Sequence, residues 1–532
     1  MQRATKLTLP EFTRAFNNSK PPTGWGKRIA IAYSGGIDST CLLYLVDNLL
    51  KKDHLKDVSL VAIHIDHQFR QTSHLDVAHC DEWTKKRSIP FISYRIPWTN
   101  PPYSTLSVTS RNHEEMGRIA RYRAIFDVMK DQEANVLLMA HHMDDQIETA
   151  LMRQARRKEE DGETTLIGTA AMRSCRRFGM GNFPRGQMRY FGHEGMTRWI
   201  CRPLLDFPKD RLMATIQDEG LTFVEDESNQ DVNLTERNAI RANLAQKCHE
   251  PLLLRPRNPF KPTTFSEVER QAPAHVVIQE YSELRSDVDH AVDVYLKENR
   301  VFSPEGTVHI ITSKGPPPPR IVQFGIILRI LRYVSPFPWG SPHAEAGRST
   351  EKLTRISECL WPYKDEEGMQ EYRSRGLFTS RTKFSGGSDV LWHPTPTPDL
   401  PTPHSMDWKR SGRTYGWVAQ RQRPTRKDPI SFGITAQLRA RDPFEVFWDS
   451  RWLCQFSENA IDVICSTNFL PRSVMTSLGT RFVIAPRDPW WTPGIHYHDG
   501  SNPWKPHLHP MTIRDRGTPT VKQTFVRTID AI

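Results

Sequence analysis

The sequence predicts an α/β fold with a doubly wound parallel sheet, followed by a mainly helical domain and a small α+β C-terminal region. Two observations support this prediction. Apolar, β-favouring runs alternate with helical patterns in the first half of the chain, and the 40 prolines fall mostly after residue 250. Strands alternating with helices are typical of βαβ crossovers, whose parallel strands are buried on both faces. The proline-rich half should contain more loops.

Short apolar runs predict the strands, and apolar residues at helical spacing between them predict the helices. The predicted strands are Arg28–Tyr33, Val58–Asp66, Phe91–Ile96, Asn135–His142 and Trp199–Leu205. The predicted helices are Asp38–Leu50, His74–Arg87, His113–Lys130 and Pro208–Glu219. Proline suits the first turn of the last helix, and Gly220 suits its C-terminal cap. The basic, Gly-rich stretch Ala155–Thr197 predicts a mobile loop.

Three domains are expected from the length of 532 residues and from shifts in composition. Residues 25–250 form the predicted α/β domain, and a proline-rich bridge separates it from a helical domain at 262–375. Residues 376–532 contain short β-like runs such as Gly479–Ile484. The proline-rich stretch Trp392–His404 predicts a linker or an exposed turn.

Charge and cysteine usage restrict the class of protein. The chain carries 72 Lys and Arg against 61 Asp and Glu, a net charge of +11. A basic surface attracts polyanions such as RNA, although a basic pI equally serves solubility. No run of about 18 apolar residues predicts a membrane span. The eight cysteines contain no CxxC pair, which argues against a zinc ribbon, and so large a chain needs no disulfide framework.

The strongest local signal is a glycine turn between the first predicted strand and helix. It consists of Ser34, Gly35, Gly36, Ile37, Asp38 and Ser39. Two glycines let the backbone approach a ligand closely, and the helix N-terminus presents free N–H groups to phosphate. Asp38 would repel phosphate unless a cation intervened, which predicts a Mg²⁺ ligand. The alternative is an ordinary turn in which Asp38 or a serine caps the helix.

This hexapeptide resembles the PP-loop of the ATP pyrophosphatase superfamily, and a Walker A loop is absent. Further blocks, taken in order, resemble the tRNA(Ile)-lysidine synthetases over residues 25–245. These blocks are His64-Ile65-Asp66-His67, Glu114–Tyr122 (ExxxRxxRY), Ala140–Thr149 (AHHMDDQIET), Arg202–Leu205 and Glu225–Arg241. The resemblance implies a sheet of the adenine nucleotide α-hydrolase type. It also implies that His64 and Asp66 join the loop residues in binding ATP.

The resemblance implies a two-step reaction on the wobble cytidine of a tRNA(Ile) with a CAU anticodon. ATP with Mg²⁺ would adenylate the base, and free L-lysine would then displace AMP. The helical domain and the C-terminal region would contact the tRNA, and a homodimer is one arrangement left open. The first 20 residues carry four basic residues and one acid, which fits a mitochondrial presequence as well as an ordinary polar leader. For a eukaryotic source, the resemblance implies an organelle, so the mitochondrial matrix is the expected location and the cytoplasm is the alternative.

The positions of the carboxylates predict metal binding and proton transfer at the site. Asp144 and Asp145 follow the fourth strand, at the edge of the sheet where α/β proteins bind ligands, and Asp38 would lie at the same edge. Asp38 and Asp145 are the predicted metal ligands. One carboxylate, or His141, would deprotonate the lysine amine. Glu148 lies one helical turn after Asp144. The alternative is that residues 144–146 only cap a helix.

Several arginines are predicted to contact RNA. Arg118 and Arg121 share a helix face that suits phosphate contact, although a solvated face pairing with nearby acids is also compatible with their spacing. The resemblance gives Arg118 a catalytic role. It implies that the lysine and tRNA contacts are Glu148, Arg121, Arg202, Arg237, Asn238 and Arg241.

Three other functions fit parts of the sequence. A related tRNA thiolase would share the sheet, but those enzymes often use a CxxC pair. A zinc phosphodiesterase would need HxHxDH, and here its first histidine is replaced by Ala62. A non-catalytic RNA-binding PP-loop protein would not need the intact loop.

Overall fold

The computed structural model describes residues 4–52, 57–106, 109, 113–155, 172–182, 188–224, 274–312, 316–361, 383–395, 416–423, 431–467, 481–487, 492–498, 505–506, 512–515 and 518–532. The chain divides into two compact units, residues 1–287 with Ile532 and residues 288–531. The finer division at 25–250, 262–375 and 376–532 stays a prediction. In the part of the chain that the structure describes, no helix combines the length and apolarity needed to cross a membrane.

The first unit contains a six-stranded sheet in the order β3-β2-β1-β4-β6-β5. Its strands are β1 (Arg28–Ala32), β2 (Ser59–Asp66), β3 (Phe91–Arg95), β4 (Val136–Leu138), β5 (Cys175–Arg177) and β6 (Trp199–Cys201). All neighbouring pairs are parallel except β5 with β6. The predicted parallel sheet is confirmed, and β1, which leads into the glycine turn, lies near its centre.

Helices cover both faces of this sheet. They are α1 (Leu9–Asn18), α2 (Ile37–Lys51), α3 (Ser73–Lys86), α4 (His113–Asp131), α5 (Met143–Ala155) and α6 (Lys209–Asp218). Ile29 and Ile31 of β1 belong to a core that includes Leu42 of α2, whereas Ala30 belongs to a second core that includes Phe126 of α4. Alternate residues of one strand therefore bury into opposite layers, as a doubly wound sheet requires.

Two predicted strands are shorter than expected. β4 ends at Leu138 rather than at His142, and β6 ends at Cys201 rather than at Leu205. The apolar run after β4 includes Met139, which is buried although it lies outside the strand. Because the run is apolar and buried, it was predicted as part of the strand. The chain instead leaves the sheet there and enters α5. The shortening places the AHHMDDQIET block in a turn and a helix N-terminus.

The prediction of a mobile loop at Ala155–Thr197 is wrong where the structure describes it. β5 pairs with β6, and Gly181 bridges to Tyr190. A Cβ on Gly181 would lie 1.6 Å from the carbonyl oxygen of Arg189, so this glycine permits close backbone packing rather than mobility. Residues 156–171 and 183–187 lie outside the described residues.

The N-terminal segment forms part of the folded unit. Phe12 and Phe16 of α1 are fully buried, and Phe16 stacks on Trp25 with ring centroids 4.0 Å apart. A capping box between Thr8 and Glu11 begins the helix. The compartment of the protein stays a prediction.

The second unit combines helices with three antiparallel sheets. After α7 (Ala274–Asn299), which begins in the first unit, its helices are α8 (Arg320–Val334), α9 (Thr350–Leu360), α10 (Thr435–Ala440) and α11 (Ala460–Thr467). One sheet has the strand order β7-β8-β11-β10-β9. In that order its strands are Arg300–Val301, Val308–Ile311, Gly416–Arg421, Val390–Thr395 and Phe384–Ser385. The order β12-β15-β16-β17 uses Phe432–Gly433, Arg481–Pro486, Pro493–His498 and Lys505–Pro506. The order β13-β14-β19-β18 uses Phe444–Trp448, Trp452–Phe456, Thr518–Phe525 and Thr512–Asp515.

These elements confirm a helical region followed by an α+β region. The linker predicted at Trp392–His404 is wrong over residues 392–395, and residues 396–404 lie outside the described residues. Trp392 was expected in an exposed linker, but it lies fully buried in β10. Prolines at the end of this strand hid its β pattern.

Candidate active site

The glycine turn between β1 and α2 is arranged to receive an anion. Gly36 is the N-cap of α2, and no side chain caps the helix there. The hydroxyls of Ser34 and Ser39 lie 3.1 Å apart, and Ser39 donates to the carbonyl oxygen of Gly36. A helix N-terminus without a side-chain cap, next to two hydroxyls, is a suitable phosphate site.

Gly35 could not be another residue without a change in the loop. Its φ is +85°, and a Cβ would lie 2.7 Å from Sγ of Cys80 and 3.0 Å from Cγ2 of Val224. The carbonyl oxygen of Gly35 accepts hydrogen bonds from the backbone N–H of Val224 and from the hydroxyl of Thr40. The turn is thus fixed from both sides, which keeps the helix N-terminus open.

Three carboxylates converge on the buried imidazole of His142. Nε2 of His142 lies 3.5 Å from Oδ2 of Asp38 and 3.5 Å from Oδ2 of Asp145, and Nδ1 lies 3.4 Å from Oδ2 of Asp144. Asp38 belongs to the loop after β1, and the other residues follow β4, the neighbouring strand. The expected meeting of Asp38 with Asp144 and Asp145 at one sheet edge is therefore observed.

The same carboxylates also cap helices, so the two interpretations of the sequence hold together. Oδ2 of Asp145 accepts the backbone N–H of His142 at 3.0 Å, at the beginning of α5. Oδ2 of Asp144 accepts the backbone N–H of Lys209 at 2.9 Å, at the beginning of α6. Capping fixes the positions of Asp144 and Asp145. Asp38 is the one carboxylate of the three that comes from the glycine turn.

Electrostatics make this cluster an ion pair network. Burial opposes the charged form of His142, but the carboxylates of Asp144, Asp38 and Asp145 outweigh it and raise the pKa of the imidazole to about 10. Burial also opposes the charged form of Asp144, but His142 and the N–H of Lys209 hold its pKa below the usual value. Three carboxylates around one imidazolium retain a net negative charge, which attracts a cation.

The residues fit a magnesium ion completed by phosphate oxygens. Oδ1 of Asp38 is buried and has no hydrogen-bond partner in the described part of the chain. Mg²⁺ is commonly bound by one or two carboxylates plus substrate phosphates, rather than by a cage of protein ligands. Among the described residues, no group of three or more His, Cys, Asp or Glu side chains is arranged to hold a metal ion by itself.

His64 and Asp66 occupy the end of β2 but are already engaged by the protein. Nδ1 of His64 lies 3.0 Å from the carbonyl oxygen of Tyr33, just before the loop. Oδ1 of Asp66 accepts the backbone N–H of Gln68, and Oδ2 lies 3.4 Å from Nε of Arg95. Both side chains position backbone around the loop. Their predicted contact with ATP stays a prediction.

The predicted arginines and Glu148 lie in different surroundings. Arg118 and Arg121 of α4 are exposed, whereas Glu148 of α5 is buried. Arg202 is buried, and its Nε donates to Nδ1 of His141 at 3.2 Å. Burial and, to a lesser extent, the charge of Arg176 lower the pKa of Arg202 to about 10. Arg237, Asn238 and Arg241 lie outside the described residues.

The sequence did not identify His142 as the centre of the cluster. Its neighbour His141 was the predicted alternative base, but the structure pairs that ring with Arg202. The signal was present in the register of the turn, since His142 lies two and three residues before the paired acids and immediately before α5. A histidine at that position can receive carboxylates from both its own turn and the neighbouring loop.

Comparison with known proteins agrees with this geometry. Residues 9–248 match the family model of the PP-loop domain. The tRNA(Ile)-lysidine synthase of Enterococcus faecalis is 31% identical over 232 residues, which is 43% of each chain. The probable tRNA(Ile)-lysidine synthase of Schizosaccharomyces pombe is 29% identical over 315 residues, 58% of this chain and 60% of that protein. The chain is therefore similar to tRNA(Ile)-lysidine synthases, and residues 9–248 match the PP-loop domain.

The chain spans less than two thirds of the length of the curated relatives it matches, 43% of the bacterial protein and 60% of the yeast one. Among solved structures, the U34-tRNA thiolase NcsA from Methanococcus maripaludis is 13% identical, covering 52% of this chain and 80% of that one, with a TM-score of 0.35. That likeness is too weak to favour sulfur transfer.

Proposed function

We propose that the protein is an ATP-dependent ligase that joins lysine to C2 of the wobble cytidine in a tRNA(Ile) with a CAU anticodon. The products besides the modified tRNA are AMP and diphosphate. The observation that supports it most is the convergence of Asp38, Asp144 and Asp145 on His142. This arrangement joins a phosphate-binding turn to a carboxylate cluster, which an enzyme needs if it handles both ATP and an amine.

In the first step, O2 of the cytidine attacks the α-phosphorus of ATP, and the bond from that phosphorus to the β-phosphate oxygen breaks. Negative charge develops on the departing diphosphate. The N–H groups of the first turn of α2 are the donors available to stabilise it. The hydroxyls of Ser34 and Ser39 would have to turn away from each other and from Gly36 to add to them. Asp38 and Asp145 would hold a magnesium ion, which would offset phosphate charge.

In the second step, the ε-amine of lysine attacks C2 of the adenylated base, and AMP leaves with the electrons of the C–O bond. The amine arrives as an ammonium and must lose a proton before it attacks. We assign the ammonium to Asp144, whose side chain is the most exposed of the three carboxylates, at 41% against 31% for Asp38 and 12% for Asp145. A carboxylate of the cluster then accepts the proton.

The remaining predicted residues take supporting roles in this proposal. Arg118 and Arg121, both exposed on α4, contact phosphates of the tRNA. Arg202 acts as a positioning residue because it is buried and orients His141. The contributions of Arg237, Asn238 and Arg241, the mitochondrial matrix location and the homodimer stay predictions.

The test is lysine transfer by the full-length protein. It would be incubated with ATP, Mg²⁺, radiolabelled lysine and total tRNA. Label recovered on an isoleucine tRNA with a CAU anticodon, together with stoichiometric AMP, would support the proposal. Modification that appears only with a sulfur donor would instead indicate a thiolase, and tRNA binding without any modification would indicate a non-catalytic RNA-binding protein.

A further inference from the structure

Three aromatic rings lie together beyond the ends of β2 and β3. His67 and Phe69 follow β2, and Trp98 follows β3. The ring centroids of His67 and Phe69 are 5.3 Å apart with an interplanar angle of 18°, and those of Phe69 and Trp98 are 5.3 Å apart at 23°. Phe69 is therefore nearly parallel to each of the other two rings, while His67 and Trp98 are tilted by 31° to each other. Together the three form what we call the aromatic platform (His67, Phe69 and Trp98).

The aromatic platform is held in place by hydrogen bonds, and one of its rings, Phe69, faces solvent. Gln68 adopts a φ of +56°, and it is fixed there because Asp66 accepts its backbone N–H and its side chain donates to the carbonyl oxygen of Ile96. Nε1 of Trp98 donates to the carbonyl oxygen of His67. Phe69 nevertheless remains 47% exposed. A large apolar ring that is ordered by so many contacts, yet left open to water, is suited to an external partner.

The helix beneath the aromatic platform supplies positive charge. A Cβ on Gly117 of α4 would lie 3.0 Å from Cε2 of Phe69, so the ring rests on the helix backbone. Arg118 and Arg121 are exposed on the same helix. Burial and, after it, the charge of Arg121 lower the pKa of His67 to about 3, so the imidazole of the platform carries no charge near neutral pH.

The aromatic platform and the carboxylate cluster lie on opposite sides of the phosphate loop. In the sheet order β3-β2-β1-β4, the platform follows β2 and β3, the loop follows β1, and His142 follows β4. All four strands are parallel, so these segments leave from one edge of the sheet. Neighbouring strands lie about 4.8 Å apart. A substrate base that reaches the loop therefore passes within a few strand spacings of the platform.

We propose that Phe69, stacked with Trp98 and His67, is a platform on which a nucleobase of the RNA substrate stacks while Arg118 and Arg121 contact the neighbouring phosphates. This inference rests on the proposed function and adds a specific RNA-binding site to it. Flat rings beside cationic side chains are the usual means of holding unpaired bases. The occupant is RNA rather than the adenine of ATP because small-molecule sites enclose most of their ligand, whereas Phe69 is half exposed.

The test compares three variants of the full-length protein at one salt concentration. Phe69→Ala removes the ring, Phe69→Trp retains a flat ring, and Leu75→Ala removes a control side chain on α3 that is 57% exposed. The measurements are the KM values for tRNA and ATP in lysine transfer, and the Kd for a fluorescein-labelled single-stranded oligocytidine. Phe69→Ala should raise the KM for tRNA and the Kd for the oligonucleotide by roughly tenfold or more. Phe69→Trp and Leu75→Ala should resemble the unmodified protein.

The outcomes separate this inference from the proposed function. Unchanged KM and Kd values in Phe69→Ala, with lysine transfer intact, would overturn the platform and leave the ligase standing. If Phe69→Ala raised the KM for ATP and left RNA binding normal, the platform would hold the adenine of ATP rather than a base of the RNA. If the unmodified protein transfers no lysine, the loss of oligonucleotide binding in Phe69→Ala alone would still support the platform.

Discussion

Nε2 of His142 lies 3.5 Å from Oδ2 of Asp38, although the two residues belong to different segments. Asp38 lies in the loop after β1, and His142 lies in the turn after β4. The two strands are neighbours in the sheet, so their following segments leave from the same edge. His142 also contacts the two acids of its own turn. This contact therefore joins the glycine turn to the carboxylates, and it holds the charge of Asp38 beside the site that we propose for phosphate.

Replacing Asp38 with asparagine should abolish lysine transfer without unfolding the protein. The substitution preserves volume but removes the charge that faces His142, and Oδ1 of Asp38 makes no hydrogen bond in the described structure that would be lost. We expect kcat/KM to fall by roughly 100-fold or more, with little change in the melting temperature. Asp210→Asn is the control, because Asp210 is an exposed first-turn acid of α6. Near-normal turnover in Asp38→Asn would refute the site.

Asp145→Ala should combine a loss of activity with a loss of stability. Its carboxylate lies 3.5 Å from Nε2 of His142, and it also accepts the backbone N–H that begins α5. Removing a capping side chain costs about 0.5–2 kcal/mol. Urea unfolding should detect this cost, while the labelled-lysine assay should show no product. A variant that is inactive but as stable as the unmodified protein would contradict the capping role.

The sequence predicted the first unit well because its signals are local. The alternation of apolar runs with helical spacing identified β1, β2 and β3, and the glycine turn lies between β1 and α2 as predicted. The position of His142 could not be predicted in the same way, because its contact with Asp38 depends on which strands are neighbours in the sheet. Trp392 was misassigned for a similar reason, since its burial depends on pairing with β11 rather than on its proline-rich neighbours.

The two adjacent glycines of the loop should respond differently to alanine. At Gly35, φ is +85° and the new Cβ would lie 2.7 Å from Sγ of Cys80, so Gly35→Ala should destabilise the protein by more than about 1 kcal/mol. At Gly36, φ is −70° and the nearest atom is 3.7 Å away, so Gly36→Ala should fold normally. Urea unfolding of both variants measures the difference. Equal stability would mean that the loop adapts to a side chain at Gly35.

The first helix should be required for the stability of the first unit. Phe16 is fully buried and stacks on Trp25, so Phe16→Ala should destabilise this unit by about 3–5 kcal/mol. Phe302→Ala is the control, because that ring is 95% exposed and its removal should change little. Thermal unfolding followed by tryptophan fluorescence would measure both. A small effect at Phe16 would indicate that α1 contributes little to the core.

The stabilising contact between Glu11 and Arg211 should weaken in acid. Two nitrogens of Arg211 lie 3.1 Å from the Glu11 carboxylate, and hydrogen bonds from Arg211 and Thr8 lower the pKa of Glu11 from 4.5 to about 2. Because the folded-state pKa is the lower one, the contribution is full above pH 4.5 and is lost as the pH falls towards 2. A double-mutant cycle with Glu11→Gln and Arg211→Gln should therefore give a larger coupling free energy at about pH 6 than at about pH 3.5. Since both side chains are partly exposed, the coupling should also fall with added salt. A coupling that is independent of pH would show that the two side chains stabilise the unit by packing rather than by charge.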